Sequence, residues 1–338
     1  MHSVFGIGNP LIDVVFSATD QDLSDLSLDK GIMHLVSQER QEEILHHFRN
    51  QTPVYHPGGS APNTLLALTG LGVRGVIAGK IGHDHFGTTY EEQVQSYGIA
   101  SRLIQGDGPT GSSIILVTPD GERTMNTHLG MCQEFSRDDL DEELLRATVD
   151  GSGLLYFTGY MWDTETQKSA ILRAMEITKD AGGRVVFDLA DPFAVERYRD
   201  DFLTLLRDSV DVVFANRREA AILLQAEHSP HTTLAHLNEL VPVVALKVGK
   251  EGSIIGATSE AAPIPIPATE VAPLDTTGAG DMYAAGFLAG LAMEQPLERC
   301  GTIAGILAEE IIQRRGAQFD VATIRGMQAT LLGTAQSI

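Results

Sequence analysis

The segment Leu274-Asp275-Thr276-Thr277-Gly278-Ala279-Gly280-Asp281-Met282-Tyr283 gathers several residue types that can do chemistry together. Glycines at 278 and 280 let the backbone turn tightly and aim several N–H groups at one point. The apolar run that follows reads as a helix, so its positive dipole end faces the same point. A helix start of this kind is an anion site and suits phosphate. Asp281 falls in the first turn of a helix that is apolar on nearly every face. A carboxylate there is placed to take the proton of a hydroxyl attacking phosphorus, and the dipole favours its ionised form. The plainer reading is an acid that only complements the dipole beside glycines that only turn the chain.

Two further segments have the same flavour. In His56-Pro57-Gly58-Gly59-Ser60-Ala61-Pro62-Asn63 another glycine turn enters a helix, with an amide in the first turn. Asn63 can donate and accept, which suits a sugar hydroxyl; the alternative is an ordinary capped helix. In Gly8-Asn9-Pro10-Leu11-Ile12-Asp13 a carboxylate lies just past a first strand. It can accept two hydroxyl protons from a ribose, or merely cap a backbone turn. Other motifs fail. No GxxxxGK[ST] is present, Gly6-Ile7-Gly8 is not completed to GxGxxG, and Pro62 breaks a GxSxG elbow at Gly58-Gly59-Ser60-Ala61-Pro62. His83-Asp84-His85 has no further metal ligands near in sequence and reads as a loop.

The elements that must position these residues follow an α/β rhythm. Val4–Gly8, Leu11–Ser17, Val76–Ile81, Leu154–Thr158, Arg184–Asp188, Val210–Ala215 and Val243–Val248 read as strands. Helices are expected from Gly58 through Leu71, over Phe86–Tyr97, Thr166–Ala181 and Arg217–Gln225, after Gly280, and from Pro296 onward. This alternation predicts a mostly parallel sheet with helices on both faces. Ser113–Thr118 and Arg123–Thr127 flank Pro119-Asp120-Gly121 as a hairpin. Residues 11–36 and 101–131 therefore read as a small β lid inserted in one large domain spanning 1–338. Ala261–Pro267, with alternating prolines, reads as an edge or linker.

Composition narrows the class. Of 338 residues 43% are hydrophobic, enough for a sizeable core. The net charge of −21 argues against nucleic acid or an anionic membrane as partner. Any bound polyphosphate must then meet positive potential built locally. Cys132 and Cys300 form no CxxC pair and read as reduced, buried thiols. The N-terminus carries no signal-peptide pattern and Met282–Met293 is too short to span a bilayer, so a cytoplasmic protein is expected.

Asp275-Thr276-Thr277-Gly278-Ala279-Gly280-Asp281 resembles the C-terminal signature of the ribokinase-like (PfkB) carbohydrate and nucleoside kinases. Gly58-Gly59-Ser60-Ala61-Pro62-Asn63 resembles their N-terminal signature, and the resemblance covers almost the whole chain. It implies a three-layer α/β/α fold with a mostly parallel central sheet and a small β-sheet lid. It implies Asp281 as catalytic base, with the backbone of Gly278, Ala279 and Gly280 holding charge on the transferred phosphoryl group. Asn9, Asp13, Gly58, Gly59 and Asn63 would bind the acceptor, and Arg123 would reach over it from the lid. Asn216-Arg217-Arg218-Glu219 resembles the family's NxxE motif, so Asn216 and Glu219 would organise Mg2+ through water. Lys247, Gly249, Gly252 and Thr276 would bind the nucleotide.

ATP and Mg2+ are the implied cofactors, and many members add a monovalent cation such as K+. Gly8-Asn9-Pro10-Leu11-Ile12-Asp13, Tyr55-His56-Pro57 and Ile311-Ile312-Gln313-Arg314-Arg315-Gly316-Ala317 look closest to the adenosine kinases. The expected reaction is therefore phosphorylation of adenosine to AMP, with Trp162 and Phe193 as candidates to stack the base. A sugar kinase acting on ribose or fructose, a kinase for another nucleoside, and a binding protein on a dead scaffold are the alternatives. The partner is a small molecule, and the chain would act as a monomer or homodimer.

Overall fold

The computed structural model describes residues 3–332. Its strands are β1 (Val4–Ile7), β2 (Leu11–Ser17), β3 (Met33–Leu35), β4 (Val54–Gly58), β5 (Gly75–Gly82), β6 (Ala100–Gly106), β7 (Gly111–Val117), β8 (Arg123–His128), β9 (Leu154–Thr158), β10 (Arg184–Asp188), β11 (Val212–Asn216), β12 (Val243–Lys247), β13 (Ser253–Ala257) and β14 (Ile264–Ile266). They form one large sheet in the order β14-β13-β12-β11-β10-β9-β1-β5-β6 and one small sheet in the order β3-β8-β7-β2-β4.

The inner strands of the large sheet are apolar without interruption, as in Leu154–Thr158, because a strand covered on both faces has no solvent side. Successive side chains still part to opposite faces. Phe5, Leu155, Phe187, Val213 and Leu246 pack under helices Glu142–Val149, Glu165–Asp180 and Arg199–Asp208. Val4, Tyr156, Val186, Val212 and Phe214 turn to helices Ser60–Gly70, Ala279–Ala292 and Leu297–Ile311. The result is a three-layer α/β/α sandwich. Strands from β6 to β12 run parallel, while β13 and β14 run antiparallel at one edge.

The strand order reverses beside β1: β5 and β6 lie on one side of it, and β9 to β12 on the other. Ligands of such sheets gather at the carboxyl ends near the reversal. Asn9 follows β1 there, and Asp188, Asn216 and Lys247 end β10, β11 and β12.

In the small sheet β2 pairs with β4 and β7, and β7 with β8 in the antiparallel hairpin. Ile12, Val14, Ile114 and Leu116 pack with Ile44 and Phe48 of the covering segment. Gln41 pins its helix to the sheet by donating to the carbonyls of Ser112 and Asn126 at 2.9 and 3.0 Å. Alternate residues, among them Asp13 and Arg123, face a cavity shared with the loop Arg315–Gln318.

The sheets correct the expected lid in two places. Ala100–Gly106 is β6, the edge strand of the large sheet in parallel register with β5. Its half-exposed edge position accounts for Ser101, Arg102 and Gln105, whose polarity resembles that of a lid strand. Val54–Gly58, by contrast, is lid strand β4 and not just the approach to a glycine turn; Pro57 is tolerated because β4 is an edge. β13 went unread, and the proline-rich segment beyond it is the edge strand β14. Among the described residues no helix is long and apolar enough to cross a membrane. Cys132 and Cys300 are both buried and unpaired.

Candidate active site

Helix Ala279–Ala292 starts at Gly278, whose φ of 78° is left-handed. A Cβ there would lie 2.6 Å from the Ala317 backbone, so only glycine fits. No side chain caps this start. Ala279 donates to the Thr276 carbonyl at 3.3 Å, and Met282 to the Gly278 carbonyl at 2.9 Å. The amides of Gly280 and Asp281 have no acceptor among the described residues. They are the open donors of an anion site.

The Asp281 carboxylate accepts from Ser60 Oγ at 2.6 Å and from Asn63 Nδ2 at 2.8 Å. Thr64 Oγ1 donates to the Asp281 carbonyl at 3.1 Å and ties the two helix starts together. The dipole argument predicts a readily ionised acid. Burial overrides it and pushes Asp281 up to about 7; the Ser60 and Asn63 bonds oppose the rise, Asp188 adds to it and Lys247 opposes it. An acid near neutrality is well matched to general-base work.

Asn63 is buried, and its carbonyl accepts from Gln318 while its amide serves Asp281. Both ends of the expected hydroxyl binder are thus engaged, one with the Asp281 carboxylate and the other with Gln318. Gly59, at φ 95°, lets the second turn pass Asn9: a Cβ would lie 2.1 Å from the Asn9 carbonyl oxygen. Asn9 accepts from Gln167 Nε2 at 2.8 Å and donates to the Tyr160 carbonyl at 3.3 Å. Gly58 ends β4, and its carbonyl accepts from Tyr90 at 3.1 Å.

Under the lid lies a cavity of about 560 Å³ lined by Asp13, Val15, His56, Arg123, Asp275 and Gln318, among others. The backbone of Asp13 is paired within the small sheet, but its carboxylate has no hydrogen-bond partner among the described residues. Burial pushes it up to about 7, Arg123 opposes the rise, and the Asp281 charge adds to it. Arg123 donates to Asp275 Oδ2 at 3.2 Å, and its buried Nε has no acceptor. Asp275 also accepts from the Gly316 amide at 2.9 Å, and from Thr277 through its amide at 2.9 Å and its hydroxyl at 2.6 Å. Burial acts to raise Asp275, but the Thr277 and Gly316 bonds and the Arg123 charge outweigh it and hold the carboxyl below its usual range.

The residues expected on the nucleotide side are arranged less uniformly. Asn216 and Glu219 close a reciprocal cap on helix Arg217–Leu224, with bonds of 2.7, 2.5 and 2.9 Å. Burial pushes Glu219 up to about 7, with Lys247 opposing. Lys247 ends β12 and pairs with Asp188. Gly249 and Gly252 shape the turn into β13, and Thr276 is exposed. The expected aromatic pair does not meet in the cavity. Trp162 is 4% exposed, packs on Phe202 and donates to Asp201 at 2.8 Å, so it belongs to the core; Phe193 is 69% exposed on helix Pro192–Arg197. His83-Asp84-His85 leads into the next helix, where Asp84 caps the Gly87 amide at 2.8 Å and also holds Thr110.

Ser60, Asp188 and Gln318 join the site beside the expected residues. Ser60 lies inside a glycine motif and could have been found as a hydroxyl at a helix start. Asp188 is a charge ending an apolar strand, a placement that itself calls for a partner. Gln318 carries no sequence signal.

A glycine-opened helix with free amides, a carboxylate near neutrality and a cavity beneath the small sheet are what a phosphotransferase with an alcohol group as acceptor requires. The chain belongs to the pfkB family of carbohydrate kinases, whose model matches residues 27–324. It is similar to the solved adenosine kinase from Sinorhizobium meliloti, with 34% identity, TM-score 0.83, and 95% of this chain and 98% of that one covered. The solved probable sugar kinase from Rhizobium etli is as close, at 33% identity, TM-score 0.85 and coverage of 98% and 99%. The adenosine kinase of Dictyostelium discoideum is 24% identical over 327 residues, covering 92% of this chain and 94% of its own length. Membership of a kinase family implies use of ATP.

Proposed function

We propose that this chain transfers the terminal phosphoryl group of ATP to the 5′-hydroxyl of adenosine, giving AMP and ADP. The observation that supports this most is the pair of carboxylates: Asp281 at the open helix start, and Asp13 within its electrostatic reach, facing the lidded cavity without a partner. Asp13 accepts ribose hydroxyls. Asp281 takes the proton of the attacking hydroxyl, whose oxygen bonds to phosphorus as the bond to the ADP oxygen breaks. The Gly278–Gly280 turn, through Ala279 and the free amides, holds the charge on the group in flight. Asn9, Gly58 and Gly59 shape the acceptor side, Asn63 holds Asp281 in place, and Arg123 approaches from the lid. Closure of the lid keeps water from competing for the phosphoryl group.

Asn216, Glu219, Lys247, Gly249, Gly252 and Thr276 frame the nucleotide. Mg2+ bound with the phosphates would supply charge neutralisation. Among the described residues no group of three His, Cys, Asp or Glu side chains is placed to hold a metal, and both Glu219 oxygens are taken by the cap. With these oxygens engaged in the cap, Asn216 and Glu219 would act on the metal through water. A cytoplasmic setting agrees with the two free buried thiols.

A sugar acceptor is the second reading. It is favoured by the burial of Trp162 and the outward placement of Phe193, which leave the expected base-stacking pair out of the cavity. ADP release with Mg-ATP across adenosine, inosine, guanosine, cytidine, ribose, fructose and fructose 6-phosphate decides between them. Turnover with adenosine alone supports the proposal. Turnover with a sugar instead removes it and leaves the phosphotransferase class standing.

A further inference from the structure

Asp188 ends β10, and its charge acts on Glu219, in the first turn of helix Arg217–Leu224, and on Asp281, in the first turn of helix Ala279–Ala292. One ammonium offsets it: Lys247 acts electrostatically on all three. Its Nζ lies 3.3 and 3.4 Å from the two oxygens of Asp188, whose side chain is 3% exposed. On its other side the ammonium rests against the anion turn, since a Cβ built on Gly280 would stand 3.5 Å from Nζ. The ammonium is therefore within contact distance of the turn.

A buried ion pair gains little net stability, because desolvating both charges offsets their attraction. Its value is in fixing where the charge sits. An ammonium held in a water-poor site acts on a developing charge far more strongly than in water, with nothing left to reorganise during reaction. Lysine suits this as a compact point charge with several donors.

We infer that Lys247 contacts the transferred phosphoryl group at the Gly278–Gly280 turn, and that Asp188 is the positioning residue that aims it. The inference rests on that turn being the phosphoryl site. Lys247 supplies hydrogen bonds and charge; the proton still goes to Asp281, and the bond that breaks is still that to the ADP oxygen.

The test compares ATP with ADP, because only ATP carries the group that Lys247 would touch. By calorimetry on the full chain, Lys247→Met should weaken ATP binding by on the order of tenfold or more while ADP binding stays within about twofold. Turnover should fall on the order of 10²-fold or more. Asp188→Asn should lower turnover less. Since the lysine substitution alone leaves Asp188 buried and uncompensated, the neutral double variant Asp188→Asn/Lys247→Met guards against misfolding. It should be no slower than Lys247→Met, because Asp188 acts through the lysine. Equal weakening of ATP and ADP, or losses that add in the double variant, would overturn the inference. The nucleotide comparison needs no acceptor, so it stands apart from the adenosine proposal, which fails separately if the parent protein turns over only a sugar.

Discussion

Two helices begin near the carboxyl edge of the large sheet, and they begin differently. Arg217–Leu224 is closed by Asn216, whose side chain takes the Glu219 amide while Glu219 returns to the Asn216 amide. Ala279–Ala292 begins at a left-handed glycine with no side-chain cap, and the amides of Gly280 and Asp281 stay free. In the first start the amide and both carboxylate oxygens of Glu219 are engaged by Asn216. The second keeps open donors, among the described residues, beside a buried carboxylate and an ammonium, the kind of start that suits an anion. The same residue types, an amide and an acid at a helix start, thus close a cap in one place and, on the proposed function, build a reaction site in the other.

The sharpest way to break that contrast is Asp281→Asn. It keeps the shape and the free amides but removes the base, so turnover should fall on the order of 10²–10⁴-fold with substrate affinities little changed. Near-normal steady-state turnover would show that the open start does not need its acid.

The pH profile comes next. With Asp281 pushed up to about 7, kcat/KM measured with both substrates well below saturation should drop about tenfold per pH unit below that value and level off above it. Asp188→Asn, which removes a charge that raises the carboxyl, should move the limb to lower pH; Lys247→Met should move it higher. Stability runs the other way. An acid whose folded pKa exceeds its unfolded value of 3.8 binds its proton more tightly when folded. The native state therefore loses stability as pH rises from about 4 to about 7, and the loss is full above 7. The melting temperature of Asp281→Asn relative to the parent should accordingly increase from pH 4 to pH 8. A constant difference across that range would mean that Asp281 is not perturbed.

What sequence reveals here depends on distance along the chain. Gly278, Gly280 and Asp281 lie within one turn, so spacing alone exposes their shared geometry. Uninterrupted apolar runs such as Leu154–Thr158 likewise announce buried parallel strands. Ala100–Gly106 misleads because an edge strand of a large sheet and a lid strand are wetted alike. Trp162 misleads because an indole that finds Asp201 and Phe202 inside the core looks, in sequence, like one that awaits a base. Asn216 and Glu219 carry a motif whose atoms form the helix cap, the same atoms that the proposed ligand role would use. Gln318, 255 residues from Asn63, enters the site only through the fold.

Asp13 extends the contrast to the lid. Unlike Glu219, whose oxygens are both engaged, its carboxylate faces the cavity without a partner. Asp13→Ala should raise the acceptor KM by roughly 10- to 100-fold, as expected for lost bonds to a charged group, while the ATP KM moves much less. Equal effects on both substrates would remove Asp13 from the acceptor side.

The smallest effect belongs to the self-satisfied start. Asn216→Ala removes the side chain that takes the Glu219 amide, and loss of such a cap costs about 1 kcal/mol of stability. It also leaves Glu219, 1% exposed, with one fewer donor. Thermal unfolding should therefore register the change clearly. If the cap is chiefly structural, kcat and the acceptor KM should stay within a few-fold of the parent, in contrast to the collapse expected at Asp281. A loss of turnover at Asn216 approaching that of Asp281→Asn, in a variant that melts normally, would erase the distinction between the two helix starts and put Asn216 in direct contact with the phosphates.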